Sequence, residues 1–467
     1  MPDGVTMLTD ERGLVLTAAD RDAVERYDVT VNQYLEYRSG TMQALKQTLT
    51  ADPEFVMAHC LKGYLFLLFG TNAVHDKVDA GLAAAEAGLS RVTWREQAHV
   101  AALAAWSAGD LLKACGIWDD ILVEHPTDLL ALRLHHFNTF WMGRSAVLRD
   151  AVARVLPAWS ENMHGYGTVL GMHAFGLEEC GEYGEAEAKG RRAVELNVDD
   201  LWAIHAVAHV LEMQGRLRDG IEWLSQPLGT WADRNPFKDH LWWHTALFPL
   251  ELGEYDRVLA LYDDAVRLDR SDFYLDIQNA ASLLLRLELQ GVDVGDRWRE
   301  LADVAESRID DHVLAFTDLH FVMALAADGR FAACRRLLAS LQDFAMQPKN
   351  FAAETMKPVT IPLCEAILAY AEGEYGRAVD LMLPIRYELS CVGGSHAQRD
   401  IFAQLLIEAA LKDGRLKLAR ALLAERLAQR PHSRGTWLKY AQALEGLSDT
   451  AGAQMARRRP LELEQKT

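Results

Sequence analysis

Long apolar runs, paired cysteines and strand-like alternation are all missing from this chain, and each absence removes a class of protein. The longest wholly apolar run near the start, Tyr64–Phe69, is far short of the ~20 residues a membrane span needs. The opening MPDGVTMLTD has no basic region followed by an apolar core, so no secretory leader is expected. Six cysteines (Cys60, Cys115, Cys180, Cys334, Cys364 and Cys391) are scattered without CxxC or CxH spacing, which points to reduced, mostly buried thiols. Positive charge is in deficit: 48 Lys and Arg against 67 Asp and Glu leave a formal net charge of −19. Nucleic acid and anionic membrane would both be repelled, so neither is expected as a partner. The basic stretch Ala456–Pro460 reads as a solvated terminus. Also missing are GxxxxGK followed by Ser or Thr, HExxH and GxSxG, and with them three ready-made catalytic frameworks. A cytoplasmic chain is expected.

What is present is a repeat. A helix-like segment ending in Gly, a short turn and a second segment rich in Ala, Leu and charge recur along the chain. The glycines are Gly70, Gly109, Gly143, Gly181, Gly215, Gly253, Gly291, Gly329, Gly373 and Gly414, spaced 34 to 44 residues apart. Two helices of about 12–15 residues with short loops need a period of this size. Glycine suits the turn because a left-handed residue there can satisfy the last helical carbonyls. The copies GDLLKACGIWDDILVEHPTD (109–128), GEYGEAEAKGRRAVELNVDD (181–200), GEYDRVLALYDDAVRLD (253–269) and GEYGRAVDLMLPIR (373–386) share one phase. They resemble tetratricopeptide repeats. The expected fold is an all-α, α-α superhelix, a tetratricopeptide-like solenoid of about ten helix–turn–helix units. Residues 1–25 read as an irregular lead before a helix near Ala23–Arg38, residues 26–447 as one continuous superhelix, and residues 448–467 as a polar, frayed tail. The stretch Asp343–Lys357 reads as an extra loop that lengthens one interval to 44 residues.

The chemistry-bearing residues gather around Leu201–Leu252. LWAIHAVAHVLEMQG places His205, His209 and Glu212 at i, i+4 and i+7, and DHLWWHTALFPLELG places His240, Trp243 and His244 within one turn. Each set falls on one helical face. In the register implied by the tetratricopeptide resemblance, with the turn glycine at position 15, these six residues take the inner-facing positions. His320 and His99 take such positions too, whereas His136 and His173 fall where packed residues belong. His125 and His432 lie in loops.

A second constellation is Val392–Asp400, where Gly393-Gly394 leads to Ser395 as a helix cap, followed by His396, Gln398, Arg399 and Asp400. Its amides suit an anion and Arg399 suits a carboxylate. Cys391 near His396 invites a thiol nucleophile, but no third, orienting group is apparent. A third pair, Asp318 and His320, lies two apart on a helix; the two do not face each other and need partners elsewhere.

Specific motifs spread along the chain carry a closer resemblance: ADPEFVMAH (51–59), REQ (95–97), HPTD (125–128), HAVAHVLEM (205–213), the His240/Trp243/His244 group, Asp318/His320/Phe321, LMLPIR (381–386) and GGSHAQRD (393–400). Over residues ~20–430 the chain resembles the tetratricopeptide-repeat protein 38 family. The resemblance implies a helical-repeat protein and brings no activity with it. That family can carry Asn where this chain has His396, so His396 gains no obligatory role from it.

Several functions fit this pattern. The first is binding of a small molecule or short peptide in a histidine-rich pocket formed by His205, His209, Glu212, His240, Trp243, His244, Asp318, His320, Ser395, Gln398, Arg399 and Asp400. The second is an enzyme, a hydrolase or lyase in which His205, His209, His244 or His320 moves protons. A divalent metal held by His205, His209, His240 and His244 is the cofactor the spacing admits. The third is a protein–protein scaffold, and the plain alternative to all three is a buried hydrogen-bonded network that fixes how repeats stack.

Overall fold

A computed structural model describes residues 6–347 and 350–464, with side chains through residue 460. The chain is all-α apart from one hairpin among the described residues: a tandem array of tetratricopeptide-like helix–turn–helix units. All ten turn glycines adopt positive φ, between 61° and 82°. At Gly215 a side chain is also excluded by space, because an added Cβ would lie 2.6 Å from the His432 Cβ.

Two further helix pairs turn on a left-handed residue other than glycine. Arg21–Leu35 and Thr41–Ala51 are joined through Tyr37 at φ 58°, and Arg434–Gly446 and Thr450–Glu464 through Ser448 at φ 64°. The second of these corrects the frayed tail: residues 450–464 are helical, and Ala453 and Ala456 pack on Ala441 and Leu444. The extra loop also carries structure, a short helix at Phe351–Thr355.

The lead differs as well. Thr6–Thr9 pairs antiparallel with Val15–Ala18, Thr6 opposite Ala18 and Thr9 opposite Val15, around a turn in which Asp10 Oδ1 accepts from the Arg12 and Leu14 amides. Two short polar-flanked strands hold because the helices supply partners. Glu96 accepts from the Thr17 amide and hydroxyl at 2.9 and 2.8 Å, and Asp52 accepts from the Ala19 amide at 2.7 Å.

By contact the chain divides into two compact units, residues 1–207 with 231–238 and 347–354, and residues 208–230 with 239–346 and 355–467. In the first unit the core includes Trp118, Tyr64 and Phe175, and in the second Trp243, Phe248, Phe316 and Phe402, all fully buried. Within a pair the two helices differ. Tyr274–Leu289 is buried at every position but Glu288, whereas Trp298–Ser307 buries only Trp298, Leu301, Ala302 and Ala305, one stripe at helical period. The buried first helices are therefore the ones able to bring polar side chains into the interior. No helix among the described residues is long and apolar enough to cross a membrane.

Candidate functional site

The second unit collects His209, Glu212, His240, Trp243 and His244 in its interior, none more than 7% exposed. Helix Leu201–Met213 supplies the first two and helix Phe237–Leu252 the others. The rings are close: His209 and His244 have centroids 4.4 Å apart, His240 and His244 4.8 Å, and Trp243 stacks on His240 at 5.3 Å. One ring nitrogen from each of His209, His240 and His244 lies within 4.8 Å of the others. His205 is buried one turn earlier on the Leu201–Met213 helix, within the first unit, where its ring lies against Phe175, Trp202 and Phe237.

Hydrogen bonds orient two of the rings. His240 Nδ1 is 2.8 Å from Asn279 Oδ1, and His244 Nδ1 is 3.2 Å from Glu212 Oε2. With an amide oxygen and a carboxylate as partners, Nδ1–H donates in both, and Nε2 keeps the lone pair. Burial dominates the titration. It pushes His240 down to about 4 against the support of Asn279, and it holds His209 and His244 well below the ordinary imidazole value, with neighbouring imidazoles adding to the effect. At neutral pH all three are uncharged.

Around them lies a set of arginines. Arg286, on helix Tyr274–Leu289, is 3% exposed and donates to the Ala397 carbonyl at 2.7 Å, to the Ser282 carbonyl at 3.3 Å and to the Ser282 hydroxyl. Its guanidinium stands 5.4 Å from the Trp243 ring centroid. Burial pushes it down to about 10, with Asp400 and Glu212 opposing. Among the described residues no carboxylate lies within ion-pair distance of Arg286. Asp400 is taken by Arg426, whose Nε and Nη2 donate to its two oxygens at 2.9 and 2.7 Å, and Arg430 donates to Glu212 at 3.3 Å. Burial alone would raise Asp400, but Arg426 and Arg430 outweigh it and hold the carboxyl far below the usual range.

The other expected residues divide. Ser395 caps helix His396–Lys412: its hydroxyl accepts from the Gln398 amide at 3.2 Å, and the Gln398 side chain accepts from the Ser395 amide at 2.9 Å. Arg399 donates to the Gly394 carbonyl. His320 is buried, its Nδ1 donating to the Phe316 carbonyl at 2.7 Å, and burial with Arg286 nearby takes it down to about 4. Asp318 is engaged elsewhere, accepting from His312 at 2.9 Å, while His312 also meets Ser340. Burial pushes the Cys391 thiol up to about 11, which works against the thiolate that a nucleophile needs. His99, the remaining inner-position histidine, is in the first unit and bonds Asp128 at 3.1 Å.

Arg286, Asn279, Arg426 and Arg430 were not singled out by sequence. For Arg286 a signal exists: a single charge inside AASLLLRL, on a helix without a polar face. Two clefts flank the same region. One is lined by residues including Glu251, Gln404, Arg426, Arg434, Thr436 and Lys439, the other by residues including Glu212, Glu251, Arg430 and His432.

No family model matches the chain. Among solved structures it is similar to a human IFIT1 dimer with PPP-AAAA, at 15% identity over 96% of each chain with a TM-score of 0.42. It is also similar to a human IFIT1 dimer with m7Gppp-AAAA, at 15% identity over 96% of each chain with a TM-score of 0.38. For the TPR domain of P58(IPK) the identity is 14%, over 80% of this chain and 98% of that one, and the TM-score is 0.22. Every one of these TM-scores is below 0.5, so fold and site rest on this chain's own residues.

Proposed function

We propose that this helical-repeat protein binds a small molecule or short peptide carrying a carboxylate in the interior of its second unit, beside Arg286. The observation that carries the reading is a surplus of buried donors. Arg286 has carbonyl and hydroxyl partners but no carboxylate, and the Trp243 Nε1 donor and, seven residues earlier on the Arg286 helix, the Asn279 Nδ2 donor have no acceptor among the described residues. A buried cation without a counter-charge costs several kcal/mol in stability. A carboxylate is an acceptor-only group, matches a guanidinium fork and would neutralise that charge. The neutral imidazoles and Trp243 offer orientation and an aromatic wall to the rest of the ligand. Of the two clefts, one is lined by Arg426, which holds Asp400, and the other by Arg430 and Glu212.

The test is a thermal-shift and calorimetry panel of dicarboxylates and of tripeptides with free or amidated C-termini, run on the wild-type chain and on Arg286→Met. At least one carboxylate should raise the Tm of the wild type, by an amount equivalent to ~2.7 kcal/mol at a hundredfold excess over Kd, and none should shift Arg286→Met. Equal shifts in both proteins, or no shift with any carboxylate, would overturn the reading.

A further inference from the structure

We propose that His209, His240 and His244 together bind one divalent transition-metal ion of the zinc, cobalt or nickel class, leaving a coordination position open. This goes beyond carboxylate binding, because the ion is held by other side chains and needs no organic ligand.

The geometry is that of a site before closure. The three imidazoles come from two helices, and one nitrogen of each lies within 4.8 Å of the others. With bonds of about 2.0–2.1 Å to imidazole, a tetrahedral ion sets its ligand nitrogens about 3.3–3.4 Å apart, so ring rotations bring the set to closure. His240 and His244 are at i and i+4, the helical spacing that lets two side chains share one ion.

The surrounding shell has the form such sites use. Ligating histidines characteristically donate their second N–H to a carboxylate or carbonyl-type oxygen, which fixes the tautomer and aims the basic nitrogen at the metal. Here Asn279 does this for His240 and Glu212 for His244, and Glu212 is held in turn by Arg430 at 3.3 Å.

Charge decides what else the ion would carry. The Arg286 guanidinium lies 5.4 Å from the Trp243 ring centroid, itself 4.8 Å from that of His244, so a dication is opposed by a neighbouring cation. A carboxylate bound between them would relieve both, and by linkage the ion and the carboxylate would strengthen each other's binding.

The experiment uses the full-length chain purified without a histidine tag and stripped with a chelator. Titration with Co2+ should give the visible absorption of a tetrahedral N-ligated ion, saturating at one per chain, and Zn2+ should displace it. His244→Gln should lose the absorption with its helical circular dichroism intact. Asn279→Ala, which removes only the partner of His240, should weaken Co2+ binding by about 10–100-fold. Arg286→Met should keep the Co2+ absorption, since the guanidinium is no ligand, and bind the ion more tightly. A folded wild-type chain that takes up no Co2+, or stoichiometric binding that survives in His240→Gln/His244→Gln, would overturn the proposal. Loss of carboxylate binding in Arg286→Met with the Co2+ absorption retained would bear on the carboxylate reading alone.

Discussion

Both units bury charge, and they do so in opposite ways. In the first, Arg95 and Asp128 are 4% and 1% exposed and form one pair at 2.6 Å. Asp128 also accepts from His99 at 3.1 Å and from the Ala131 amide at 2.9 Å, and Arg95 reaches the Val15 carbonyl of the hairpin at 3.0 Å. Each charge of that pair has its opposite, and the result ties a hairpin to two helices. In the second unit Arg426 and Arg430 draw on Asp400 and Glu212, while Arg286 is left with neutral oxygens. A balanced knot is what stability asks for. A buried surplus is what a binding site asks for, because a ligand can complete it.

The largest expected effect tests the balanced side. Asp128→Ala leaves Arg95 buried without its partner and should cost about 3–5 kcal/mol in urea unfolding. Next comes the unbalanced side, with the sign reversed. Arg286→Met should be neutral or stabilising by about 1–4 kcal/mol in the ligand-free protein. A loss as large as that of Asp128→Ala would abolish the contrast and make Arg286 a structural residue.

A third prediction uses pH within the first unit. Asp28 accepts from the Glu11 amide, and burial, with Asp10 and Glu11 adding repulsion, raises its carboxyl to about 7. The folded value exceeds the unfolded one of about 3.9, so the folded state binds the extra proton. Its contribution to stability is complete below about pH 4 and is lost as pH rises through about 7. Asp128 has the opposite sign: burial would raise it, but His99 and Arg95 outweigh burial and depress it, so its contribution is present above about pH 4 and lost in acid. Asp28→Asn should flatten the fall in Tm between pH 5 and 8 and leave the acid limb unchanged.

The smallest effects come from the caps, where the two units are alike. Thr93 with Glu96 and Ser395 with Gln398 form reciprocal capping boxes, and Thr93→Ala or Ser395→Ala should each cost ~1 kcal/mol. A larger loss of carboxylate binding than of stability in Ser395→Ala would give that residue a role beyond its helix.

Much of the repeat was legible because a turn glycine is a local requirement. The pairs turning at Tyr37 and Ser448 were not, since those residues take the left-handed conformation without advertising it. The hairpin was equally silent: TMLT and VLTA are too short to show a period, and they pair because Glu96 and Asp52, distant in sequence, hold Thr17 and Ala19. Asp318 shows the same limit, its partner His312 lying outside the helix that carries it.

By itself the sequence determined the all-α class, the helix pairs marked by glycine and the face on which His209, Glu212, His240 and His244 lie. These follow from backbone conformation and helical period, which act within a few residues. Only the tertiary structure decided that Asn279 and Glu212 orient two of those rings, that Arg426 takes Asp400, and that Arg286 stands beside Trp243 without a carboxylate. Charge balance in an interior is summed over residues as far as 218 positions apart in the chain, as Arg430 on Glu212 shows. No local pattern records that sum.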